Sequence, residues 1–454
     1  MPSLASLFQL QDILSAVPLN LSSSALTQTI CGIQTDTRTL QPGEVFLALR
    51  GQKFDGHEFI PTAIEKGAVA AIVDYAYDNP GYPVLQVNNT LKAYQEIAKW
   101  WRKTFTIPII GVTGSVGKTT TKELIAAVLG TQGKVHKTYK NFNNEIGVST
   151  TLLELDRTAD FAVIEMAMRG KGQIAELTEI AQPDIGVITN VGTAHIELLG
   201  SEKAIAEAKC ELLAEMPQDG VAILNYDNPL LMQTSQKFWS GKVISYGFLG
   251  GDIQGNLISN DMIEVGGMNL RLPLPGRHNA SNYLAALAVA QVLGIDWKKL
   301  ENGVMVNMPG GRSQKFNLPN DVVILDETYN AAPEAMIAAL QLLADTPGKR
   351  KIAVLGAMKE LGSRSLDLHQ QVGEMVEKLN LDGLLVLVDG QDAKMIADSA
   401  KGICCECFTT HDDLLARLKT YIKSGDRLLF KAAHSVGLDQ VVNQLRADFL
   451  DVKD

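Results

Sequence analysis

The chain has 454 residues, 46% hydrophobic and 20% charged, and this ordinary globular composition excludes a collagen-like repeat, long disorder and a disulfide scaffold. Its 51 acidic and 41 basic side chains give a net charge of −10, which disfavours nucleic acid as a main partner because like charges repel. No apolar stretch approaches the roughly 20 residues that span a bilayer, and no leader pattern is visible, so we expect a soluble, cytoplasmic protein without membrane insertion.

The first hundred residues alternate short apolar runs with turn-rich connections, which predicts a small α/β unit. The predicted strands are 45–49, 68–73 and 84–87, and a helix is predicted at 91–105. Pro108 disfavours helical geometry in the residue before it, so the first domain is predicted to span residues 1–107.

The next part of the chain repeats a pattern of strand, turn and helix. The predicted strands are 109–112, 161–164, 185–188 and 221–224, and the predicted helices are 122–129, 202–216 and 282–293. Strands separated by helices pair in parallel, so a mainly parallel sheet covered by helices is expected. Gly310 and Gly311 interrupt the pattern, and the second domain is therefore predicted to span residues 108–312.

The alternation restarts in the last part of the chain, residues 313–454. Strands are predicted at 322–325, 351–355, 384–388 and 427–430, with helices at 333–343 and 366–379 between them. This pattern predicts an open, doubly wound sheet. The fold class is therefore α/β, with three domains in series, close to the number that the length suggests.

Three of the five cysteines fall close together, at positions 404, 405 and 407. A zinc site normally takes a second, separated pair of ligands, which this cluster lacks. We therefore interpret the cluster as buried thiols rather than as a metal site.

The strongest motif is the segment 109–121, in which an apolar strand leads through Gly114 and Gly117 to Lys118 at a predicted helix start. The glycines allow a tight turn that presents backbone N–H groups to phosphate, and the lysine supplies positive charge for the β and γ phosphates. The Thr119 hydroxyl suits Mg²⁺. Val112 stands where the strict pattern has its first glycine, so an ordinary turn with a surface lysine is the alternative. The residues predicted to bind ATP here are Gly114, Ser115, Val116, Gly117, Lys118, Thr119 and Thr120.

This variant of the loop resembles that of the Mur ligase superfamily, which includes folylpolyglutamate synthases. Further segments resemble family motifs in the same order along the chain: 189–196, 274–282, 309–312 and 326–330. The resemblance spans the whole sequence. It implies an N-terminal uridine-nucleotide-binding α/β domain, a central P-loop ATPase-like domain and a C-terminal Rossmann-like domain.

Five other segments resemble those of one family member, the ligase that adds D-alanyl-D-alanine to UDP-N-acetylmuramoyl-tripeptide in peptidoglycan precursor synthesis. These segments are 36–38, 42–46, 55–57, 141–147 and 165–174. The resemblance implies an ATP-dependent amide-bond ligase that acts through an acyl phosphate, with one or two Mg²⁺ ions as cofactors. Two alternatives stay open. One is another amino-acid ligase of the superfamily, or a folylpolyglutamate synthase, and the other is a nucleotide-dependent regulatory switch.

The resemblance also implies a catalytic set of Lys118, Glu165, His195, Lys209 and Arg312. Glu165 and His195 would join Thr119 as metal ligands, although each could be an ordinary strand-end or loop residue. Lys209 would be carbamylated, or would form a surface salt bridge. Arg312 would reach the γ phosphate when domains close, or would brace the linker.

Contacts with nucleotide and substrate follow from the same resemblance. Asn279 and Asn282 would contact adenine, with a helix cap as the alternative for Asn279, and Asp326 would contact the nucleotide or the metal shell. The residues implied in substrate binding are Thr37, Arg38, Asn143, Asn144, Tyr329, Asn330 and Lys431. Three residues depart from the family pattern, which usually has asparagine, aspartate and arginine there: Ala332, Ala357 and His434.

Overall fold

The computed structural model describes residues 4–51 and 53–451, and the strands of this part of the chain form four sheets. One large sheet lies in each of the three predicted domains, so the predicted three-domain α/β fold is confirmed. The exact domain boundaries remain predictions. Among the residues described, every helix is too short or too polar to span a lipid bilayer.

The N-terminal part forms a five-stranded sheet and a separate pair of strands. Its strands are β1 (Ala5–Ser6), β2 (Val17–Leu19), β3 (Thr29–Ile30), β4 (Ile33–Gln34), β5 (Val45–Leu47), β6 (Ala70–Asp74) and β7 (Val84–Val87). Its helices are α1 (Leu7–Leu14), α2 (Ser23–Leu26), α3 (Ile60–Glu65) and α4 (Thr90–Lys103). The sheet order is β2-β7-β6-β5-β4, in which β2 is the antiparallel edge, while β1 pairs with β3.

The central part forms a nine-stranded sheet. Its strands are β8 (Ile109–Thr113), β9 (Val135–Lys137), β10 (Phe161–Glu165), β11 (Ile185–Ile188), β12 (Val221–Asn225), β13 (Lys242–Gly247), β14 (Ile253–Ser259), β15 (Met262–Val265) and β16 (Met268–Arg271). Its helices are α5 (Lys118–Leu129), α6 (Glu145–Leu153), α7 (Gln173–Ala181), α8 (Ile196–Leu199), α9 (Glu202–Glu215), α10 (Pro229–Ser235) and α11 (Arg277–Val292). The order is β16-β15-β14-β13-β12-β11-β8-β10-β9.

The central sheet is parallel from β9 to β14, and its last two pairings, β14 with β15 and β15 with β16, are antiparallel. The predicted strands correspond to β8, β10, β11 and β12, which are almost entirely buried and therefore read as continuous apolar runs. The antiparallel extension was not predicted. Strand β14 begins with alternating buried and exposed residues, as expected for a strand with one face in water, and such a run carries a weaker apolar signal.

The C-terminal part forms a six-stranded sheet in the order β17-β18-β22-β19-β20-β21. These strands are β17 (Gln314–Leu318), β18 (Val322–Asp326), β19 (Arg350–Leu355), β20 (Gly383–Leu387), β21 (Cys405–Phe408) and β22 (Asp426–Lys431). The helices are α12 (Pro333–Asp345), α13 (Ser365–Lys378), α14 (Gln391–Ser399), α15 (His411–Tyr421) and α16 (Leu438–Asp451). All pairings are parallel except that of β17, an edge strand that the sequence did not predict.

The interpretation of the cysteine cluster as buried thiols was wrong. Cys404 and Cys407 are exposed, and Cys405 is partly exposed. The physical reason is that β21 is the edge strand of its sheet, so its side chains lack neighbours on one side. Within the described residues, no group of three or more His, Cys, Asp or Glu side chains is arranged to hold a metal.

The N-terminal and central domains share a hydrophobic core. Helix α4 packs against α6 and α7, and Ile97 and Trp101 of α4 lie in one buried cluster with Leu152 of α6. The Trp101 indole also donates a hydrogen bond of 3.1 Å to the carbonyl oxygen of Leu155. The C-terminal domain has a separate core of its own. The first two domains are therefore joined by apolar packing, whereas the third is an independently packed body.

Arg102 of α4 connects the N-terminal and central domains through buried hydrogen bonds. Its buried guanidinium donates to the carbonyl oxygens of Ala181 at 2.9 Å, Gln182 at 2.8 Å and Phe105 at 3.0 Å.

We expect Arg102→Ala to destabilise the protein by at least about 2 kcal/mol, because buried carbonyl groups would lose their donors. Urea denaturation measures this loss. The control is Lys103→Ala on the exposed side of the same helix, which should stay within about 0.5 kcal/mol. Equal stability of the two variants would contradict the prediction.

Candidate active site

A cavity of about 530 Å³ lies between the central and C-terminal domains, beside the phosphate loop. Most of the residues predicted from the sequence line it: Ser115, Val116, Gly117, Lys118, Thr119, Thr120, Asn143, Glu165, His195, Asn279, Asn282, Arg312, Tyr329, Asn330 and Lys431. Most of these residues come from the carboxyl ends of β8 and β10, from the starts of α5 and α11, or from the C-terminal domain, while Asn143 and His195 lie just before α6 and α8. The carboxyl ends of parallel strands are where α/β sheets bind ligands.

The phosphate loop is held by two glycines with positive φ angles and by hydrogen bonds to the loop after β11. Gly117, with φ +83°, caps α5, and a Cβ atom there would lie 2.7 Å from Asn282 Oδ1. At Gly114, a Cβ atom would lie 1.9 Å from Thr189 Oγ1. The Ser115 N–H donates to the carbonyl oxygen of Asn190 at 3.1 Å. Only glycine fits at these two positions, so the loop geometry depends on them.

Lys118 folds back over its own loop. Its Nζ atom donates to the carbonyl oxygens of Gly114 at 2.7 Å and Ser115 at 3.3 Å. Burial lowers the pKa of Lys118 to about 8, and the nearby Glu165 carboxylate opposes that shift. An ammonium group in this position satisfies its donors with backbone oxygens and is placed to exchange them for phosphate oxygens.

Glu165 ends β10 and is 1% exposed. Its Oε1 atom accepts a hydrogen bond of 2.8 Å from Asn143 Nδ2, whereas Oε2 has no hydrogen-bond partner and lies 3.7 Å from Lys122 Nζ. Lys122 is itself fully buried and donates to the Thr138 carbonyl oxygen at 2.9 Å. A buried carboxylate oxygen without a donor is costly, so this atom is suited to a cation or a polar ligand.

His195 precedes α8 and has a positive φ of 66°, which is unusual for a residue with a side chain. Its Nδ1 atom lies 2.5 Å from Oε2 of Glu360, a residue of the C-terminal domain. Burial is the main cause that lowers the pKa of His195, and the positive charge of Lys118 adds to it. The two domains thus meet at this imidazole.

Lys209 does not line the cavity but lies behind it, on α9. The residue is 1% exposed, so the alternative of a surface salt bridge was wrong. Burial lowers the pKa of Lys209 well below its ordinary value, and the charge of Lys118 lowers it further. Among the described residues, no carboxylate forms a salt bridge with this amine. Such an amine is favoured in its neutral form.

Arg312, at the predicted boundary between the central and C-terminal domains, forms a stack with two side chains of the C-terminal domain at the edge of the cavity. The Arg312 guanidinium lies 3.9 Å from the centre of the Tyr329 ring, and the His434 ring stacks on Tyr329 at 5.4 Å. Close by, Lys431 Nζ donates to the Asn330 carbonyl oxygen at 2.9 Å. Burial lowers the pKa of Lys431. His434, where the family usually has arginine, therefore completes an aromatic face.

Six of the predicted residues do not line this cavity: Gly114, Asn144, Lys209, Asp326, Thr37 and Arg38. Asn144 caps α6, since its Oδ1 atom accepts from the Gly147 N–H at 2.9 Å. Arg38 pairs with Asp36 at 2.6 Å in an exposed loop of the N-terminal domain, and Thr37 lies beside it.

Asp326 is buried, and its carboxylate accepts hydrogen bonds from the backbone and hydroxyl of Thr328. Burial is the main cause that raises the pKa of Asp326. The next residue, Glu327, lines the cavity instead and lies 3.9 Å from Lys431 Nζ. Successive residues of an extended chain point to opposite sides, and this alternation could have identified Glu327.

The amides at the start of α11 differ in their partners. Asn279 Nδ2 donates to the Pro275 carbonyl oxygen at 2.9 Å, but its Oδ1 atom is buried without a partner. Gly276 is the cap of this helix, so the cap alternative for Asn279 was wrong. Asn282 Oδ1 accepts from the Thr121 hydroxyl at 3.2 Å. The free amide oxygen of Asn279 is suited to an amino group of a ligand.

Several cavity residues were not singled out from the sequence. They include Asn141, Arg169, Asn190, Asn225, His278, Glu327 and Glu334. All of these except Asn225 and Glu334 fall in segments whose resemblance to the family was recognised, so those segments gave a signal. Glu334 is brought to the cavity by the C-terminal domain, where its Oε1 atom accepts from the Thr193 N–H at 2.7 Å. No local pattern indicates that contact, because the two residues are distant in the sequence.

Comparisons with known proteins agree with this arrangement. Three family descriptions match the chain in order: the Mur ligase family, catalytic domain at residues 29–101, the Mur ligase middle domain at 112–290, and the Mur ligase, glutamate ligase domain at 311–434. The UDP-N-acetylmuramoyl-tripeptide--D-alanyl-D-alanine ligase of Synechocystis sp. is 56% identical over 99% of both chains. The ligase of the same name from Bacillus subtilis is 36% identical over 96% of this chain and 97% of its own.

Solved structures give the same result. MurF from Acinetobacter baumannii superposes with a TM-score of 0.88 at 28% identity, covering 98% of this chain and 99% of that one. MurF ligase from Thermotoga maritima in complex with ADP has a TM-score of 0.83 at 30% identity, covering 93% and 98%. The match in family domains, in full-length relatives and in overall fold shows that this chain belongs to the Mur ligase family.

Proposed function

We propose that this chain is an ATP-dependent ligase that joins D-alanyl-D-alanine to UDP-N-acetylmuramoyl-tripeptide through an amide bond. The observation that carries the proposal is the convergence of the phosphate loop, the unpartnered Glu165 carboxylate oxygen and Arg312 on one cavity. Full-length relatives of high identity bear the name of that reaction. Because the reaction consumes ATP, we propose that it takes place in the cytoplasm.

The first step activates the carboxylate of the tripeptide. A carboxylate is a poor electrophile, so one of its oxygens attacks the γ phosphorus of ATP, ADP leaves, and an acyl phosphate forms. Negative charge is redistributed over the transferring oxygens in the transition state. Lys118 and Arg312 both line the cavity and supply positive charge there.

The second step forms the amide bond. The free amine of D-alanyl-D-alanine attacks the carbonyl carbon of the acyl phosphate, and a tetrahedral intermediate collapses with release of inorganic phosphate and a proton. Tyr329, Asn330, Asn143 and Lys431 line the cavity and are proposed to hold the two substrates. The phosphate leaves easily because it is a stable anion, whereas a free carboxylate offers no such leaving group.

The residues present fit a magnesium ion. Thr119, Glu165 and His195 line the same cavity, and the buried oxygen of Glu165 lacks a hydrogen-bond donor. Magnesium is typically held by one or two carboxylates together with substrate phosphates and waters, so few protein ligands are needed. When bound, the ion neutralises charge on the phosphate oxygens.

Lys209 is proposed to be carbamylated. Burial favours its neutral amine, and a neutral amine adds to CO₂ to give an anionic carbamate with release of a proton. The new oxygens would carry negative charge next to Lys118, which lowers the cost of burying both groups.

The remaining assignments concern the ends of the substrates. Asn279, whose amide oxygen is free, is proposed to accept from the adenine amino group, with Asn282 beside it. Thr37 and Arg38 are proposed to contact the uridine diphosphate end. Arg38 is 87% exposed in its side chain, and a guanidinium so accessible can exchange its Asp36 partner for a diphosphate.

The reaction itself is tested by incubating the protein with ATP, UDP-N-acetylmuramoyl-tripeptide and D-alanyl-D-alanine and analysing the products by mass spectrometry. We expect the mass of the ligated pentapeptide, and phosphate release that needs all three substrates. In control reactions, single amino acids replace D-alanyl-D-alanine, and folates replace UDP-N-acetylmuramoyl-tripeptide. Ligation of those compounds instead would indicate another ligase of the family. Nucleotide binding without any ligation would indicate a regulatory switch.

The phosphate loop is tested by Lys118→Ala. We expect kcat to fall at least about 100-fold, because a cation that stabilises the transferring phosphate is removed. The fold should persist, since the hydrogen bonds of the Lys118 ammonium go to carbonyl oxygens of its own loop and not to another element. Circular dichroism and the thermal midpoint check this. The matched control is Lys237→Ala, an exposed lysine of the same domain that should keep full activity. Normal turnover in folded Lys118→Ala protein would remove the assignment.

The carbamate is tested by Lys209→Ala. We expect a loss of at least about 10-fold in kcat, partly restored by added short carboxylates that replace the missing anion. Intact wild-type protein kept free of CO₂ and bicarbonate should likewise lose activity. The control is Lys203→Ala, an exposed residue of α9 that lies outside the cavity. Near-normal rates in Lys209→Ala at saturating Mg²⁺ would argue against the carbamate.

A further inference from the structure

Glu360 reaches from the C-terminal domain to the central domain at the edge of the cavity. It follows β19, in the loop before α13. Its Oε2 atom lies 2.5 Å from His195 Nδ1, and its Oε1 atom lies 3.3 Å from Arg169 Nη2. Its backbone carbonyl oxygen also accepts a hydrogen bond of 3.4 Å from the Glu197 N–H. One residue thus contacts three residues of the other domain.

The two loops are shaped for this close approach. His195 and Glu360 have positive φ angles of 66° and 61°, a conformation that residues with side chains rarely adopt. Such strain persists only where the surroundings hold it, and it occurs most often at functional sites. At Gly362, a Cβ atom would lie 3.2 Å from the backbone and side chain of Glu197. A larger residue there would need a small shift of Glu197 and would be strained at a φ of +55°, so glycine suits this close approach.

The contact has a chemical consequence for the imidazole. A neutral histidine carries its proton on one ring nitrogen only, and the other nitrogen holds a lone pair. When Nδ1–H donates to a carboxylate, Nε2 is left free to act as a ligand or acceptor. Within the described residues, Nε2 of His195 has no protein hydrogen bond, and His195 lines the cavity.

A second ion pair between the same two domains provides a comparison. Arg364 Nη1 lies 3.2 Å from Glu202 Oε1, and both side chains are more than a third exposed. Neither residue lines the cavity. This pair can hold the domains together but has no contact with the site. Removing it therefore tests the effect of weaker domain docking alone, without the loss of a contact to His195.

We propose that Glu360 is a positioning residue that sets the tautomer of His195 only when the C-terminal domain is docked. Docking of the C-terminal domain therefore does more than bring Tyr329 and Lys431 to the cavity. It also gives His195 a proton on Nδ1 and a lone pair on Nε2. This inference rests on the proposed function, in which His195 is one of the residues that hold magnesium, but the tautomer itself can be measured without any substrate or metal.

The tautomer is tested on the full-length protein labelled with ¹⁵N-histidine, without nucleotide, by NMR correlation of the ring nitrogens with the ring carbon-bound protons. His195→Asn assigns the signals. In the wild type we expect a protonated Nδ1 and an unprotonated Nε2. Glu360→Ala should lose this pattern, whereas Glu360→Gln should retain it, because its amide oxygen can still accept. Arg364→Ala should leave the pattern unchanged.

Kinetics provide the second measurement. We expect Glu360→Ala to lower kcat by about 10- to 100-fold, the usual effect of removing a partner that orients a ligand histidine. KM for ATP should change much less, because the phosphate loop is untouched, and Glu360→Gln should recover part of kcat. Arg364→Ala should keep kcat within about threefold, as expected for an exposed ion pair.

The outcomes distinguish this inference from the proposed function. An unprotonated Nδ1 in the wild type, or an unchanged ¹⁵N pattern in Glu360→Ala, would overturn the positioning role even if the ligase reaction occurs. Failure of the wild type to ligate would overturn the proposed function, while the ¹⁵N pattern would still decide the tautomer. If Glu360→Ala does not fold, Glu360→Asp, whose shorter side chain cannot reach His195 equally well, gives the same decision.

Discussion

Buried charge is the constraint on which the rest of this site depends. Lys118, Lys209 and Lys431 lie close to the cavity, and burial lowers the pKa of each. Desolvating an ammonium group is costly unless an anion compensates it. Glu327 partly compensates Lys431, whereas among the described residues no carboxylate pairs with Lys209, and one buried oxygen of Glu165 has no hydrogen-bond donor. The site is thus suited to a polyanionic ligand together with a cation, because the polyanion would compensate the buried lysines and the cation would pair with the free oxygen of Glu165.

The way in which the domains are joined also indicates a site that is completed by ligand binding and domain docking. The N-terminal and central domains share apolar side chains around α4, so they behave as one body. The C-terminal domain has its own core and meets the central domain through polar contacts such as Thr193 with Glu334 and Arg364 with Glu202. Polar interfaces between domains are typical of parts that move relative to each other. Docking of this domain completes a cavity whose phosphate loop is already formed.

Features that lie within one uninterrupted stretch of the chain were predictable from the sequence. Buried parallel strands such as β8 and β11 appear as apolar runs, and the loop from Gly114 to Thr120 is a contiguous segment with a recognisable chemistry. Weakly apolar strands were missed, since β14 and β17 have one side facing water and so few buried residues. The cysteine cluster was misjudged for a related reason. Cys405 and Cys407 lie on β21, whose position at the edge of its sheet is not visible in the local sequence, and Cys404 lies just before that strand.

The sequence by itself therefore determined the fold class, the family and the segment that binds phosphate, because each depends on neighbours along the chain. The tertiary structure decided which side chains share one cavity. Glu327, just after the end of β18, faces it, whereas Asp326 is buried against Thr328. Glu360 meets His195 across a domain boundary, although 165 positions separate them in the chain. Contacts of this kind arise from the docking of separately packed cores, and no local spacing of residues encodes that geometry.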